Sequence, residues 1–341
     1  MNPKLFQSIC NAPGIPGFED AVQEIAKGIF ETCCDTVTRD PLGNLIGLKK
    51  AKANRKKGNV PTLMLAAHAD EPAMMVTRFD GKGMIKFRMV GGVNPVMAQS
   101  QRVLIHTGAK QPVRGCIVPK EGETKIEDLC IDTGLSKDKL ETLVPLGSPI
   151  TIDEDASVLN GKMWVGRNFD NRVGNYCLVE AMRQVGDTHV DVYAVSSVQE
   201  EVGLRGARAA AGRILPDMAL AIDGSMTKGA YDDGDNLCEP GKGTGIYMID
   251  KLTIGHPKLV KHLFAMCAKH KIAHQLNIGG GTDAAAIQQI PGGCIVTTVG
   301  APVRYMHSTV QLCHADDIDA TVALLVKFME TAHEFYAGLG D

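Results

Sequence analysis

The first 71 residues place apolar side chains either at helical spacing or in short continuous runs. From Phe18 to Phe30, apolar residues recur every three or four positions, which predicts an amphipathic helix packed on a sheet. The segments TVTRD and NLIGLKK, separated by PLG, predict a β-hairpin. VPTLMLAAH is a continuous apolar run, typical of a strand that is covered on both faces.

The pattern changes between Pro72 and Gly161. Here short alternating segments (MIKFRMV, QRVLIHT, PVRGCIVP and SPITID) are separated by Gly-, Pro- and Asn-containing turn signals, with one helix expected around Ser136 to Leu143. This pattern predicts a small all-β barrel or sandwich. We therefore expect residues 72–161 to be a domain inserted into a larger α/β domain formed by residues 1–71 and 162–341.

Helix and strand patterns alternate again from Phe169 onward. We expect helices from about Asn171 to Gln184, over GLRGARAAAGRI, PKLVKHLFAMCAKHK and TDAAAIQQ, and from about Asp316 to Tyr336. Strands are expected at VDVYAVSSV, MALAI and CIVTTVG. The larger domain is thus predicted to be a layered α/β structure with a mixed sheet, interrupted once.

Composition and charge exclude several classes of function. The 341 residues are 44% hydrophobic and 22% charged with a formal net charge of -3, which is typical of an ordinary globular protein and gives no basic surface for nucleic acid. No apolar run is long enough for a membrane helix, and Pro and Gly interrupt the N-terminal segment where a signal peptide would be apolar, so a cytoplasmic protein is expected. The ten cysteines include an adjacent pair, Cys33 and Cys34. The pair could bind metal or respond to redox state, but the favoured interpretation is two reduced thiols at a helix end.

Potential metal ligands follow the predicted strands, at the edge where α/β sheets form their sites. Such side chains come after four apolar runs: His68, Asp70, Glu200, Glu201, Asp223 and His307. Oxygen and nitrogen ligands without thiolates favour zinc, cobalt or manganese, and more carboxylates than histidines favours more than one ion. Taken singly, Asp223 could instead cap a turn and His307 could be a structural histidine.

Four details refine this site. Asp70 lies two residues after His68, where its carboxylate could accept the second imidazole N–H and fix the tautomer. Asp170 begins a predicted helix, so it is either a further ligand or a plain N-cap. Glu200 and Glu201 are neighbours at a strand end and point in different directions, so they are expected to perform different tasks. In GGGTDAAA, either the backbone N–H groups face a substrate or Thr282 or Asp283 caps a helix.

The motifs AAHADE, NFDNRVG, QEEVGLRGA, AID, GGGTDAAAIQ and RYMHS, in this order, closely resemble those of the TET, or glutamyl aminopeptidase-like, family, some of whose members are called cellulase M-like. The resemblance spans essentially the whole chain. It implies a three-layer, phosphorylase/hydrolase-like metallopeptidase fold and two divalent ions per subunit. One ion would be held by His68, Asp170 and Asp223, and the other by Glu201, His307 and the bridging Asp170. Glu200 would be the general base, with Asp70 behind His68.

The resemblance also implies an activity: release of N-terminal residues from short peptides through a hydroxide that bridges the two metals. A deacylase or other amidohydrolase on the same site is the enzymatic alternative, and a non-catalytic scaffold is the alternative outside enzymes. A glycosidase needs two carboxylates facing each other across a bond, which adjacent strand residues do not supply. Family members are further expected to form dimers through the inserted domain, and these to assemble into tetrahedral dodecamers. The preferred N-terminal residue stays open.

Overall fold

Helices and strands alternate in both terminal parts of the chain, and short strands fill the middle. The computed structural model describes residues 1–52, 60–119, 125–227 and 238–339. The strands of these residues are β1 Thr36–Arg39, β2 Leu45–Lys49, β3 Thr62–His68, β4 Ala73–Phe79, β5 Ile85–Val90, β6 Arg102–Ile105, β7 Val113–Pro119, β8 Leu129–Asp132, β9 Pro149–Ile152, β10 Ser157–Asn160, β11 Met163–Gly166, β12 Asp191–Ser197, β13 Met218–Ile222, β14 Ser225–Met226, β15 Thr244–Ile249, β16 His274–Ile278, β17 Ile295–Gly300, β18 Pro302–Arg304 and β19 Gln311–His314. The helices are α1 Pro3–Asn11, α2 Asp20–Cys33, α3 Pro95–Ala98, α4 Lys137–Leu143, α5 Phe169–Gln184, α6 Arg205–Ile214, α7 Pro257–His270, α8 Ala284–Gln288 and α9 Ala315–Ala337.

An eight-stranded mixed sheet organises the α/β part, in the spatial order β1–β2–β12–β3–β13–β17–β15–β16. The four central strands β12, β3, β13 and β17 are parallel to one another. Their carboxyl ends therefore lie at one edge of the sheet, which is where ligand sites form in α/β folds. The mixed α/β fold predicted from the sequence is confirmed.

The side chains of β3 alternate between two cores. Leu63 and Leu65 pack with α5 and its neighbouring helices on one face of the sheet. Met64 and Ala66 pack with the alanine-rich helices α6 and α8 on the other. A strand covered by helices on both faces needs apolar residues at every position, which explains why this run does not alternate with polar residues.

Helix α5 lies at the centre of the larger core and is buried on all sides, including Tyr176, Leu178 and Val179. It contacts β3, α1, α2 and α9. Its regular turns begin at Arg172, because Asp170 and Asn171 have non-helical backbone angles. This irregular start frees the Asp170 side chain from the helix surface.

Strands β4 to β9 close into a barrel in the order β4–β5–β8–β7–β6–β9, around a separate apolar core that includes Val76, Val103 and Ile117. The closed barrel agrees with the short alternating segments of the sequence. Strand β10 does not join the barrel: it pairs with β11 in a second sheet of order β10–β11–β19–β18–β14. The limits of the inserted domain remain a prediction.

Several elements went unpredicted. Helix α1 begins at Pro3 with the Asn2 side chain accepting the Leu5 N–H, a normal N-cap followed by proline. Strands β15 and β16 and the five-stranded sheet were also missed, because their short segments mix apolar residues with glycine and polar residues. Within the described ranges, no helix combines the length and the apolar character needed to cross a membrane.

Candidate metal centre

The turn after β3 and the turn after β12 are joined by one carboxylate. Asp70 is fully buried, and its two oxygens accept the backbone N–H groups of Glu200 and Glu201, each at 3.0 Å. His68 Nδ1 lies 3.1 Å from the Asp70 carbonyl oxygen and 3.5 Å from its carboxylate. Asp70 thus lies behind His68 as expected from the sequence. The acceptor nearer to the His68 ring is the Asp70 carbonyl oxygen, whereas the Asp70 carboxylate accepts the backbone N–H groups of the paired glutamates.

Asp170 lies between two imidazoles. Its Oδ1 is 3.3 Å from His68 Nε2, and its Oδ2 is 3.3 Å from His307 Nε2. The Asp170 N–H donates to the Gln311 side chain at 2.7 Å, which helps to fix this irregular segment. The plain N-cap interpretation of Asp170 is wrong, since Asn171 accepts the Gly174 N–H at 3.1 Å and so performs that role.

Three further carboxylates complete the cluster. Glu200 Oε2 and Asp223 Oδ1 lie 3.9 Å and 3.8 Å from His68 Nε2. Glu201 Oε2 lies 3.9 Å from His307 Nε2. Asp223 also accepts the N–H of Gly224 at 2.7 Å, so it shapes its own turn while facing His68. All of the sequence-predicted site residues are therefore brought together at one edge of the sheet.

Burial disfavours the negative charges of this cluster. It raises the pKa of Glu201 to about 8 and raises the pKa values of Glu200 and Asp223 well above their ordinary range. The pKa of Asp170 is instead lowered, because the hydrogen bonds from His307 and His68 outweigh its burial. The hydrogen bond to Asp170 raises the pKa of His307 to about 9. These carboxylates require positive charge nearby in order to ionise together.

The protein itself supplies too little of that charge. In the described chain, no lysine or arginine forms an ion pair with Asp170, Glu200, Glu201 or Asp223, and the buried Glu201 Oε1 has no hydrogen-bond partner. The nitrogen–oxygen separations of 3.3–3.9 Å resemble those across a cation, since tetrahedral ligands about 2.0–2.2 Å from zinc lie roughly 3.3–3.6 Å apart. Imidazole and carboxylate donors suit zinc, cobalt or manganese. The residues present fit divalent cations.

Geometry alone does not separate ligand from base. Two groups have ligand atoms within 4.8 Å of one another: His68 with Glu200 and Asp223, and His68 with Asp170 and Glu201. Glu200 is thus as close to His68 as Asp223 is. The distances therefore do not decide whether Glu200 is a metal ligand or the general base. That choice rests on the chemistry of the reaction, and measuring the metal content of a Glu200 variant tests it.

A cavity of about 310 Å³ opens onto the cluster. Besides the candidate ligands, the described residues that line it are small or uncharged: Gly224, Met226, Tyr247, Gly280, Gly281, Thr282 and Met306. A larger groove of about 660 Å³ lies between the Pro13–Ala21 segment and the barrel, but none of the candidate ligands lines it. The smaller cavity is the candidate site because candidate metal ligands, including His68 and Asp170, line it.

Two supporting features were missed in the sequence. Glu71 accepts Arg167 Nε at 2.9 Å and Arg172 Nη2 at 3.0 Å, and Arg172 also donates to the carbonyl of Ile9 in α1. This buried network ties the end of β3 to the start of α5. The available signal was Arg172, which directly precedes the apolar positions of α5, because a buried charge needs a buried partner.

The second feature involves Asp283, which the sequence analysis considered only as a helix cap. Asp283 occupies the N-cap position of α8 but makes no side-chain capping bond. Its Oδ2 accepts the Ser197 hydroxyl at 2.7 Å, and its Oδ1 has no hydrogen-bond partner among the described residues. Thr282, one residue earlier, accepts the Ala284 N–H at 3.2 Å. The charge of Asp283 contributes, after burial, to the raised pKa of Glu200. The Asp283 carboxylate therefore influences the site through its charge and is not one of the candidate ligands.

Known proteins are similar to this chain in sequence and architecture. The profile of the M42 glutamyl aminopeptidase family matches residues 43–324. A lysyl aminopeptidase of Pyrococcus furiosus is 32% identical over 345 residues, covering 96% of each chain. Among solved structures, an aminopeptidase from the archaeon Desulfurococcus kamchatkensis has a TM-score of 0.93 at 28% identity, covering 99% of this chain and 97% of its own. A Pyrococcus horikoshii TET peptidase that can assemble into a tetrahedron or a large octahedral shell has a TM-score of 0.84 at 28% identity, covering 96% and 98%.

Proposed function

Because this chain belongs to the M42 glutamyl aminopeptidase family, we propose that it is a dinuclear metal-dependent aminopeptidase that releases N-terminal residues from short peptides. Membership itself makes the chain a peptidase. The observation that carries the finer assignment is the position of Asp170, whose two oxygens each lie 3.3 Å from a different imidazole. A carboxylate with this geometry suits a bridge between two cations.

The ligands divide around this bridge. His68, Asp170 and Asp223 would hold one divalent cation, and Glu201, His307 and Asp170 would hold the other. When bound, such cations polarise the scissile carbonyl and lower the pKa of an attacking water. The excess of buried carboxylates over protein cations supports two ions rather than one.

Glu200 moves the protons. Its carboxylate takes a proton from the attacking water and then gives a proton to the leaving amine. Burial raises the pKa of Glu200 well above its ordinary range, which favours a group that must hold a proton during the cycle. Asp70 holds the backbone of both glutamates, so that Glu200 leans over the site while Glu201 faces His307.

Glu200→Gln tests these roles. We expect the rate of amino acid release to fall by about 10²–10⁴, because a general base is lost, while metal content measured by plasma mass spectrometry stays near that of the wild type. Glu141→Gln, on the exposed face of α4, is the matched control and should change neither quantity. Loss of metal together with activity would make Glu200 a ligand and would overturn its assignment as the base.

Blocked substrates test the reaction class. With zinc, cobalt or manganese added, an aminopeptidase releases free amino acids from unblocked peptides and leaves their N-acetylated counterparts intact. Equal cleavage of both would favour a deacylase or related amidohydrolase. Release from neither, with metal bound, would favour a scaffold without turnover.

We also propose that the chain forms homo-oligomers, dimers built through the barrel that assemble into a tetrahedral dodecamer. Support comes from the related Pyrococcus horikoshii peptidase, which can form a tetrahedron. Light scattering coupled to size exclusion should detect a twelve-chain particle. A monomer at micromolar concentration would contradict the proposal.

A further inference from the structure

A loop of the barrel lies directly against the cluster of candidate metal ligands. It follows β5 and contains two consecutive glycines, Gly91 and Gly92. A Cβ atom built on Gly92 would lie 2.3 Å from His307 Nδ1 and 2.9 Å from its Cε1. A Cβ on Gly91 would lie 3.1 Å from Glu201 Cβ and 3.3 Å from Glu201 Oε2. The backbone of this loop therefore forms a wall against both side chains.

The contacts are selective. Glu201 and His307 are the two ligands assigned only to the second cation, and the nearest neighbours of the two glycines include no atom of His68 or Asp223. The barrel loop thus contacts the two ligands of the proposed second cation, Glu201 and His307. The other half of the centre is built by strand ends of the central sheet.

His307 has little else to fix its ring. Its side chain is 49% exposed, and its hydrogen-bond partner is Asp170. Its backbone φ is +62°, in the left-handed region that side-chain-bearing residues rarely occupy. A half-exposed ligand loses metal affinity unless something holds it in the productive geometry.

We propose, on the basis of the metal assignment under the proposed function, that Gly91 and Gly92 are positioning residues through which the barrel controls occupancy of the Glu201–His307 metal position. The absence of side chains lets the loop backbone press against the ring and the carboxylate. The barrel is then part of the metal centre as well as a candidate assembly surface.

The size of the effect follows from the clash. Ordinary van der Waals contact begins near 3.4 Å, so a methyl group at position 92 would push the imidazole away by about 1 Å. Metal–ligand distances tolerate only about 0.2 Å, so a shift of that size removes a ligand. Gly92→Ala is a cleaner probe than a change at Gly91, whose φ of +82° would add backbone strain.

Metal stoichiometry after equilibrium dialysis against cobalt is the test. We expect two equivalents in the wild type and one in Gly92→Ala, together with a change in the Co²⁺ absorption spectrum. Gly81→Ala is the matched control: it lies in the β4–β5 turn of the same barrel, its Cβ would meet nothing within 4 Å, and it should retain two equivalents. Two equivalents bound by Gly92→Ala with unchanged affinity would overturn the proposal.

A double variant separates positioning from folding. In His307→Ala the ring is gone, so adding Gly92→Ala should cause no further loss of metal and no further drop in thermal stability. If Gly92→Ala alone unfolds, the double variant should fold, because the clash has been removed. A double variant that is less stable or binds less metal than His307→Ala would overturn the proposal. A wild type that binds no metal would instead reject the proposed function.

Discussion

Replacing Asp70 by asparagine should slow the reaction without lowering the metal content. The buried Asp70 carboxylate accepts two backbone N–H groups, from Glu200 and Glu201, each at 3.0 Å. Asparagine has nearly the same shape but only one acceptor oxygen, and its amide group would face the second N–H as another donor. One of the two hydrogen bonds is therefore lost, and one buried N–H is left without a partner.

The magnitude follows from that single loss. A hydrogen bond to a charged group contributes about 1.5–3 kcal/mol. Since each 1.4 kcal/mol is a factor of ten in rate, and loss of the carboxylate behind a metal-bound histidine costs about 10–100-fold, we expect kcat to fall by about 10–100-fold. KM should change less, because Asp70 does not line the cavity.

The assay measures kcat and KM for an aminoacyl p-nitroanilide, with metal content determined on the same samples. Asp80→Asn is the matched control. Asp80 also accepts two backbone N–H groups, at 2.8 Å and 2.9 Å, but lies in the β4–β5 turn of the barrel. An Asp70→Asn variant with kcat within twofold of the wild type would refute the reasoning that this carboxylate positions Glu200.

Two further predictions follow from burial and from the cavity. Burial raises the pKa of Glu19 from 4.5 to about 7, so the folded state binds this proton more tightly and stability falls as pH rises from about 4.5 to about 7. Glu19→Gln keeps an acceptor for the Gly17 and Gln199 N–H groups. The variant should have a higher thermal unfolding midpoint than the wild type at pH 8 but not at pH 4. Equal midpoints for variant and wild type at pH 8 would contradict this. Apart from the candidate ligands, the described residues that line the cavity are uncharged and include Met226 and Met306. They should favour leucine and methionine over glutamate and lysine at the substrate N-terminus by at least about tenfold in kcat/KM, the equivalent of 1.4 kcal/mol. A panel of aminoacyl p-nitroanilides measures this, and a faster reaction with glutamate would be the contrary result.

Local patterns in the sequence were sufficient for the main elements. The run ending in His68 predicted a strand covered on both faces, and in β3 alternate residues do pack into two different cores. The predicted helix from about Asn171 to Gln184 formed, with its regular turns starting at Arg172. Such predictions succeed because period and apolar run length depend on neighbours along the chain.

The candidate site was also predictable as a set of residues. Parallel strands bring their carboxyl ends to one edge, so residues that follow different apolar runs could be assigned to one cluster before any coordinate was known. The division of labour within the cluster was less accessible. Whether Asp170 or Asn171 caps α5 depends on a turn whose backbone angles the sequence does not reveal.

The sequence by itself therefore determined the main strands and helices and the residues that could bind metal, because these properties come from local periodicity and side-chain chemistry. The tertiary structure alone decided which distant segment touches which ligand. Gly92 packs on His307 and Asp283 accepts from Ser197 across long stretches of chain. A glycine carries no side-chain signal for its partner, and a buried carboxylate reveals its partner only when the fold brings the two together.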